Sequence, residues 1–197
     1  MSEHAPRAVL VRHAETEWTL SGRHTGSTDI PLTENGRDAA RALAGPVSAW
    51  HFERVLCSPL RRALETCERC GLAERAERTE LLLEWDYGDY EGLTSAEIEK
   101  LNPGWSLWRD GCPGGEQPAD VGARADRVVA DVLAGPGPVA VFSHGHFLRV
   151  LGARWIELEA AGGGRLGLSP GSLSLLGEEH AARILAGWNI VPAVYER

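Results

Sequence analysis

A chain of 197 residues, 43% apolar and 24% charged, is long enough for one domain that buries roughly 70% of its unfolded surface. Its net charge of −8 argues against nucleic acid or an anionic membrane as partner, since both call for a broad basic surface. No apolar run approaches the ~20 residues of a membrane span, and the first seven residues are polar, so neither a span nor a leader is expected. Cys57, Cys67, Cys70 and Cys112 are too sparse for a secreted disulfide scaffold and read as core thiols in a reducing cytoplasm.

The first element is a short apolar run, Ala8–Val11, that stops at Arg12-His13. Continuous apolar strands of this kind belong to buried parallel sheets, whose ligands sit just beyond the strands' carboxyl ends. Arginine offers a planar fork for phosphate, and histidine serves as nucleophile, base or ligand near neutral pH. Thr19–Asp29 is rich in Gly, Ser and Thr and reads as a loop. Its amides and hydroxyls, those of Thr19, Thr25 and Gly26 among them, are candidates to meet an anion, although an ordinary surface loop fits as well. Thr33 is the N-cap of a helix through Ala39, Ala40 and Leu43, with a stop expected at Gly45-Pro46.

Val55-Leu56-Cys57 predicts a second buried strand, and Ser58-Pro59 an N-cap with proline at the first helical position. The helix would run to Gly71 and place Arg61 and Arg62 in its first turn, where the macrodipole disfavours cations unless an anion offsets them. Leu81–Gly92 interleaves Glu84, Asp86, Asp89 and Glu91 with Trp85, Tyr87 and Tyr90 in a strand-to-loop context. A carboxyl group held against an aromatic ring is partly desolvated and suited to general acid work, and Glu84 is the best placed. Thr94 and Glu97 form a capping box for a helix toward Leu101. Asn102–Glu116 is an irregular Gly/Pro/Trp loop in which Trp105, Trp108 and Arg109 either wall a pocket or pack inward. Apolar positions from Val121 to Val132 mark a helix over 117–133 that breaks at Gly135-Pro136. Val139–Phe142 is a third buried strand, ending in Ser143-His144-Gly145-His146 before a helix from Phe147 to Trp155. A hairpin of Ser172–Leu176 with Ala182–Trp188 turns around Gly177-Glu178.

Three strands thus end in Arg12-His13, in Ser58 before Arg61 and Arg62, and in His144-Gly145-His146. A parallel sheet would gather them at one edge as an anion cradle holding a nucleophile. The order of Arg-His, Ser-Pro-Leu-Arg-Arg-Ala, Leu-Glu-x-x-x-Gly-x-x-Glu-Gly and Ser-His-Gly resembles the histidine phosphatase superfamily, also called phosphoglycerate mutase-like. The stretches 22–26, 84–92, 108–116 and 143–149 are similar to its acid-phosphatase and sedoheptulose-bisphosphatase branch.

The resemblance implies an α/β fold, a three-layer α/β/α sandwich with a mostly parallel central sheet, spanning 1–197 as a single domain. It also implies phosphomonoester hydrolysis through a phosphohistidine, without metal or cofactor. The nucleophile falls on His13, the phosphate arginines on Arg12 and Arg62, the proton donor on Glu84, and a protonated second histidine on His144. Thr19, Thr25, Gly26, Tyr87, Gly145 and His146 are the expected substrate-binding positions. A metal pair at His144-x-His146 is disfavoured for lack of an acidic partner set. Ala14 stands where the family usually has glycine, and would be strained if that position needed positive φ. Mutases of the family carry a longer, more basic segment after the acid motif. Here it holds only Lys100, Arg109, Arg124 and Arg127, which favours hydrolysis of a small phosphorylated metabolite over phosphoglycerate mutation or mere phospho-ligand binding. Self-association is left open.

Overall fold

The computed structural model describes residues 6–192. Residues 1–5, on which the expectation of no leader partly rests, lie outside that range. Six strands form one sheet: β1 (Ala8–Arg12), β2 (Arg54–Cys57), β3 (Ala76–Arg78), β4 (Val139–Ser143), β5 (Leu173–Glu179) and β6 (Ala182–Ile190). Their order is β3-β2-β4-β1-β5-β6. The first four are mutually parallel, and β5 and β6 close one edge antiparallel.

Alternation along the strands builds the layers. Val9 and Val11 of β1, with Val55, Cys57, Ala140 and Phe142, face one core, where they meet α2 (Glu34–Ser48) and α3 (Arg61–Arg69) through Leu43, Val47, Ala63 and Cys67. Ala8, Leu10, Leu56, Val139 and Val141 face the other, packed on α6 (Pro118–Ala134) and α7 (Gly145–Trp155) through Val121, Val128, Phe147 and Leu151. Helices on both faces of a mostly parallel sheet make the expected three-layer α/β/α fold. All four cysteines are buried and free.

Several boundaries differ from the sequence reading. α2 passes through Gly45-Pro46 to Ser48. A proline two residues from a helix end forfeits one bond where bonds are already being lost, and Val47 just beyond it is buried in the core. α3 starts at Arg61, not after Ser58; its first turn is capped from outside by Asp29 Oδ1, which accepts the Arg61 N–H at 2.7 Å. Thr19 lies in a short helix, α1 (Glu17–Ser21), closed by a capping box between Thr16 and Thr19. Leu81–Gly92 contains 3-10 turns rather than a strand. β3 carries no apolar run to announce it, being Ala-Glu-Arg at a sheet edge. The β5–β6 turn falls at His180-Ala181, both with positive φ (47° and 66°), where the usual Asn-Gly signal is missing. The capping box predicted at Thr94 opens α4 (Ser95–Leu101), and a further short helix, α5 (Leu107–Asp110), interrupts the irregular loop.

Candidate active site

Strand register places the site. Val11 pairs with Phe142, and Phe142 with Cys57, so β1, β4 and β2 end in one row. β1 and β4 run one residue past it, to Arg12 and Ser143, so the residues that follow the three strands are His13, His144 and Ser58. Their backbone extends the ladder by one step, His13 N–H donating to Ser143 O and Ser58 N–H to Phe142 O, both at 2.9 Å. β4 lies between β1 and β2 although it follows both in the chain, so the cleft opens where the strand order switches, as expected for open α/β sheets.

His13 is 4% exposed. Its Nδ1 lies 2.8 Å from Ala14 O; a carbonyl accepts only from N–H, so Nδ1 carries the proton and Nε2 keeps its lone pair toward the cavity. Burial, with the charges of Arg62 and Arg12, holds the imidazole well below its usual pKa and therefore neutral. Ala14 is not among the positive-φ residues. Its methyl group is buried against Leu32, Ala39 and Ala40, so the strain expected from replacing glycine is absent.

Arg62 is fully buried. Nε donates to His144 Nδ1 at 3.1 Å, Nη1 to Thr28 O at 3.0 Å, and Nη2 to Thr25 O and Gly26 O at 3.0 and 2.9 Å. With Nδ1 accepting, His144 carries its proton on Nε2 and donates to Ser58 Oγ at 2.7 Å. Burial, Arg62, His13 and Arg12 hold His144 well below its usual pKa. His144 is thus neutral where the resemblance implies a protonated ring, because its Nδ1 lone pair is taken by the Arg62 N–H and a buried imidazole among guanidiniums lacks a counter-charge. The His13 and His144 rings are 5.2 Å apart.

Gly26 belongs to the support of this cluster and does not line the cavity. Its N–H donates to Glu91, its carbonyl accepts from Arg62, and a Cβ there would meet Glu91 Oε2 and Trp85 O at 2.7 Å. Glu91 also accepts the Thr28 N–H at 3.0 Å. Glu91, one of the three carboxylates passed over in the sequence in favour of Glu84, is therefore the brace of the loop that holds Arg62.

Glu84 is 8% exposed and sits at the N-terminus of α7. Oε1 accepts from Trp85 N and Phe147 N at 2.9 and 2.8 Å, and Oε2 from His146 N at 3.0 Å. Gly145 opens the same helix because the Arg12 guanidinium lies on it; a Cβ there would stand 2.9 Å from Arg12 Cζ. Arg12 Nη1 also donates to Leu168 O.

Arg12, His13 and Glu84 line a cavity of about 220 Å³ together with Tyr87, His146 and Arg149; Arg62 and His144 are not part of that lining and sit behind it, the His144 ring against His13. Burial holds the Tyr87 phenol well above its usual pKa, and its hydroxyl hydrogen-bonds to His146 Nδ1 at 2.6 Å. Thr19, Thr25 and Gly145 also line the space. The two hydroxyls are engaged locally, Thr19 with Thr16 O and Thr25 with Arg23 O. Arg109 is exposed and paired with Asp110, away from the cavity, while Trp105 and Trp108 pack behind it against His24 and His146. Missed by sequence reasoning were His24, Arg23 and Arg149. The first two lie inside the 22–26 stretch already singled out, and Arg149 is one helical turn from His146 on the same face. Among the described residues no group of three or more His, Cys, Asp or Glu is arranged to hold a metal ion.

A family model for the histidine phosphatase superfamily (branch 1) matches residues 8–191. An acid phosphatase of Mycobacterium tuberculosis is 43% identical over 184 residues, covering 91% of this chain and 90% of its own. The sedoheptulose 1,7-bisphosphatase of Saccharomyces cerevisiae is 32% identical, covering 78% and 68% respectively. A mycobacterial glucosyl-3-phosphoglycerate phosphatase, solved in complex with VO3, superposes with a TM-score of 0.83 at 33% identity, covering 94% of this chain and 100% of that one.

Proposed function

We propose, for a chain that belongs to the histidine phosphatase superfamily and is a phosphomonoester hydrolase like its relatives, that the reaction runs through a phosphohistidine on His13. The observation that carries this reading is the fixed tautomer: Nδ1–H is tied to Ala14 O, and an unprotonated Nε2 is left to a cavity beside Arg12 and Glu84. In the first step Nε2 attacks phosphorus in line, and the bond to the leaving oxygen breaks as Glu84 protonates that oxygen. Arg12, Arg62 and His144 supply the positive field for the phosphoryl oxygens. Four of the five Arg62 N–H groups are already engaged, so its geometry is set before substrate arrives. His144 contributes while neutral: its one lone pair, on Nδ1, is taken by the Arg62 Nε–H, so the ring acts through its N–H dipole beside His13. In the second step the Glu84 carboxylate accepts a proton from water. That water displaces His13 from phosphorus, releasing inorganic phosphate and neutral histidine.

The cavity suits a phosphoryl group with a small polar leaving group, a sugar phosphate or similar metabolite, and Arg23 and Arg149 at its margin favour polar or anionic substituents. One sheet with both faces covered supports reading 1–197 as a single catalytic domain. Four free, buried cysteines support a reducing cytoplasm, and no helix among the described residues is long and apolar enough to cross a membrane.

The test is trapping. With a phosphate-labelled substrate, an alkaline quench that preserves phosphohistidine should capture label on His13. His13→Ala should neither label nor turn over while keeping its circular dichroism, and label elsewhere would sink the assignment. With 3-phosphoglycerate and its 2,3-bisphosphate, phosphate release without 2-phosphoglycerate is expected.

A further inference from the structure

We propose that Arg124 is a positioning residue for proton donation, acting through the backbone of Glu84 and never touching substrate. It rests on the assignment of Glu84 as the acid. Arg124 projects from the middle of α6, beside the buried Val121, Ala125 and Val128, and its side chain is only 15% exposed. A guanidinium withdrawn this far from water must satisfy its donors inside the protein, and all five are satisfied. Nη1 donates to Leu81 O at 3.0 Å and Leu83 O at 2.7 Å, and Nη2 to Glu84 O at 3.2 Å. Nε and Nη2 grip Glu116 Oε1 and Oε2 at 2.9 and 2.8 Å.

The same two residues reach the far side of the acid. The Arg124 guanidinium lies 4.6 Å from the Phe147 ring centroid, and the Phe147 N–H is one of the donors that hold the Glu84 carboxylate. Glu116 accepts the Asp86 N–H through Oε2 and the Trp85 indole N–H through its carbonyl, both at 2.9 Å. Arg124 and Glu116 therefore bracket Glu84 from 81 to 86. The bracket matters because this segment is a wall with space on both sides. Glu84 borders the active-site cavity and also a separate groove of about 720 Å³ lined by Arg78, Arg124 and Arg127. Leu82 and Trp85 anchor the stretch in the core, while the carbonyls of Leu81, Leu83 and Glu84 between and beside them are held by the guanidinium. Lysine could not replace it, since a point ammonium cannot span three carbonyls and a carboxylate in one plane.

A role through the acid has a signature that a general packing role lacks. Loss of proton donation harms substrates with poor leaving groups and spares those whose leaving group departs unaided. The experiment compares kcat/KM, which reports phosphoryl transfer to the enzyme, for benzyl phosphate and 4-nitrophenyl phosphate. In Arg124→Ala the benzyl ester should lose on the order of tenfold more than the nitrophenyl ester, with vanadate inhibition and circular dichroism unchanged. Arg124→Lys should show the same bias, undiminished or only partly relieved. Should the alanine variant fail to fold, Arg124→Lys and Glu116→Gln carry the same comparison. Equal loss on both esters, or no loss, overturns the proposal provided Glu84→Gln discriminates between them. A Glu84→Gln enzyme that does not discriminate overturns the assignment of the acid, and this proposal with it.

Discussion

At the scale of single residues, the site is governed by hydrogen-bond direction more than by residue type. His13 and His144 are both buried imidazoles near arginines, yet their tautomers are opposite. A carbonyl at Nδ1 leaves His13 with a free Nε2, whereas the Arg62 N–H at Nδ1 places the His144 proton on Nε2. Glycine at 145 is a matter of space, because the Arg12 guanidinium occupies the position a Cβ would need. Gly145→Ala should displace Arg12 while leaving α7 intact. A shift of about 1 Å in a phosphate ligand costs on the order of 10²-fold in rate, so kcat/KM should fall by roughly tenfold to a hundredfold with little change in melting temperature. Wild-type kinetics in that variant would remove Arg12 from the phosphate cradle. Ala14 teaches the converse. A family pattern suggests glycine, but the local backbone has no positive φ and the methyl group has a place to go.

At the scale of elements, the loop over 25–28 holds Arg62 and the segment over 81–86 carries Glu84, and each is braced from elsewhere. Glu91 holds the Gly26 and Thr28 amides, so that the carbonyls of Thr25, Gly26 and Thr28 face Arg62. Glu91→Ala leaves two amides without an acceptor and should loosen Arg62. Vanadate affinity should weaken by about tenfold, and benzyl and nitrophenyl esters should suffer equally, in contrast to Arg124→Ala. A leaving-group bias in the Glu91 variant would refute this division of labour. Element identity was legible where caps and periodicity agree. The Thr33 cap, the Thr94–Glu97 box and the apolar period of α6 predict helices that the structure contains. The start of α3 was not legible, since its cap is supplied by Asp29, thirty-two residues earlier. Nor was β3, an edge strand without an apolar face.

At the scale of the molecule, two buried imidazoles, His13 and His144, and the half-buried His146 tie stability to pH. His13, His144 and His146 are each held well below the usual value, chiefly by burial and then by neighbouring arginines. The unfolded chain protonates them near the ordinary value of about 6.5, so below that pH it binds more protons than the folded one. The stability they carry is therefore complete above about pH 6.5 and drains as pH falls toward the folded values. The slope is up to roughly 1.4 kcal/mol per histidine per pH unit. Urea midpoints measured from pH 7.5 to 5 should fall accordingly, and a flat profile would mean that these rings are protonated in the folded state. The sequence by itself determined the chemistry available. Short apolar strands ending in Arg-His, Ser and Ser-His-Gly-His name the reacting groups, because strand burial and residue type are local properties. Only the tertiary structure decided how those groups are used. The His144 tautomer, the bracing of Arg62 through Glu91 and the grip of Arg124 on the Glu84 segment depend on partners 36 to 82 residues apart, and hydrogen-bond partners at that distance leave no periodic mark along a chain.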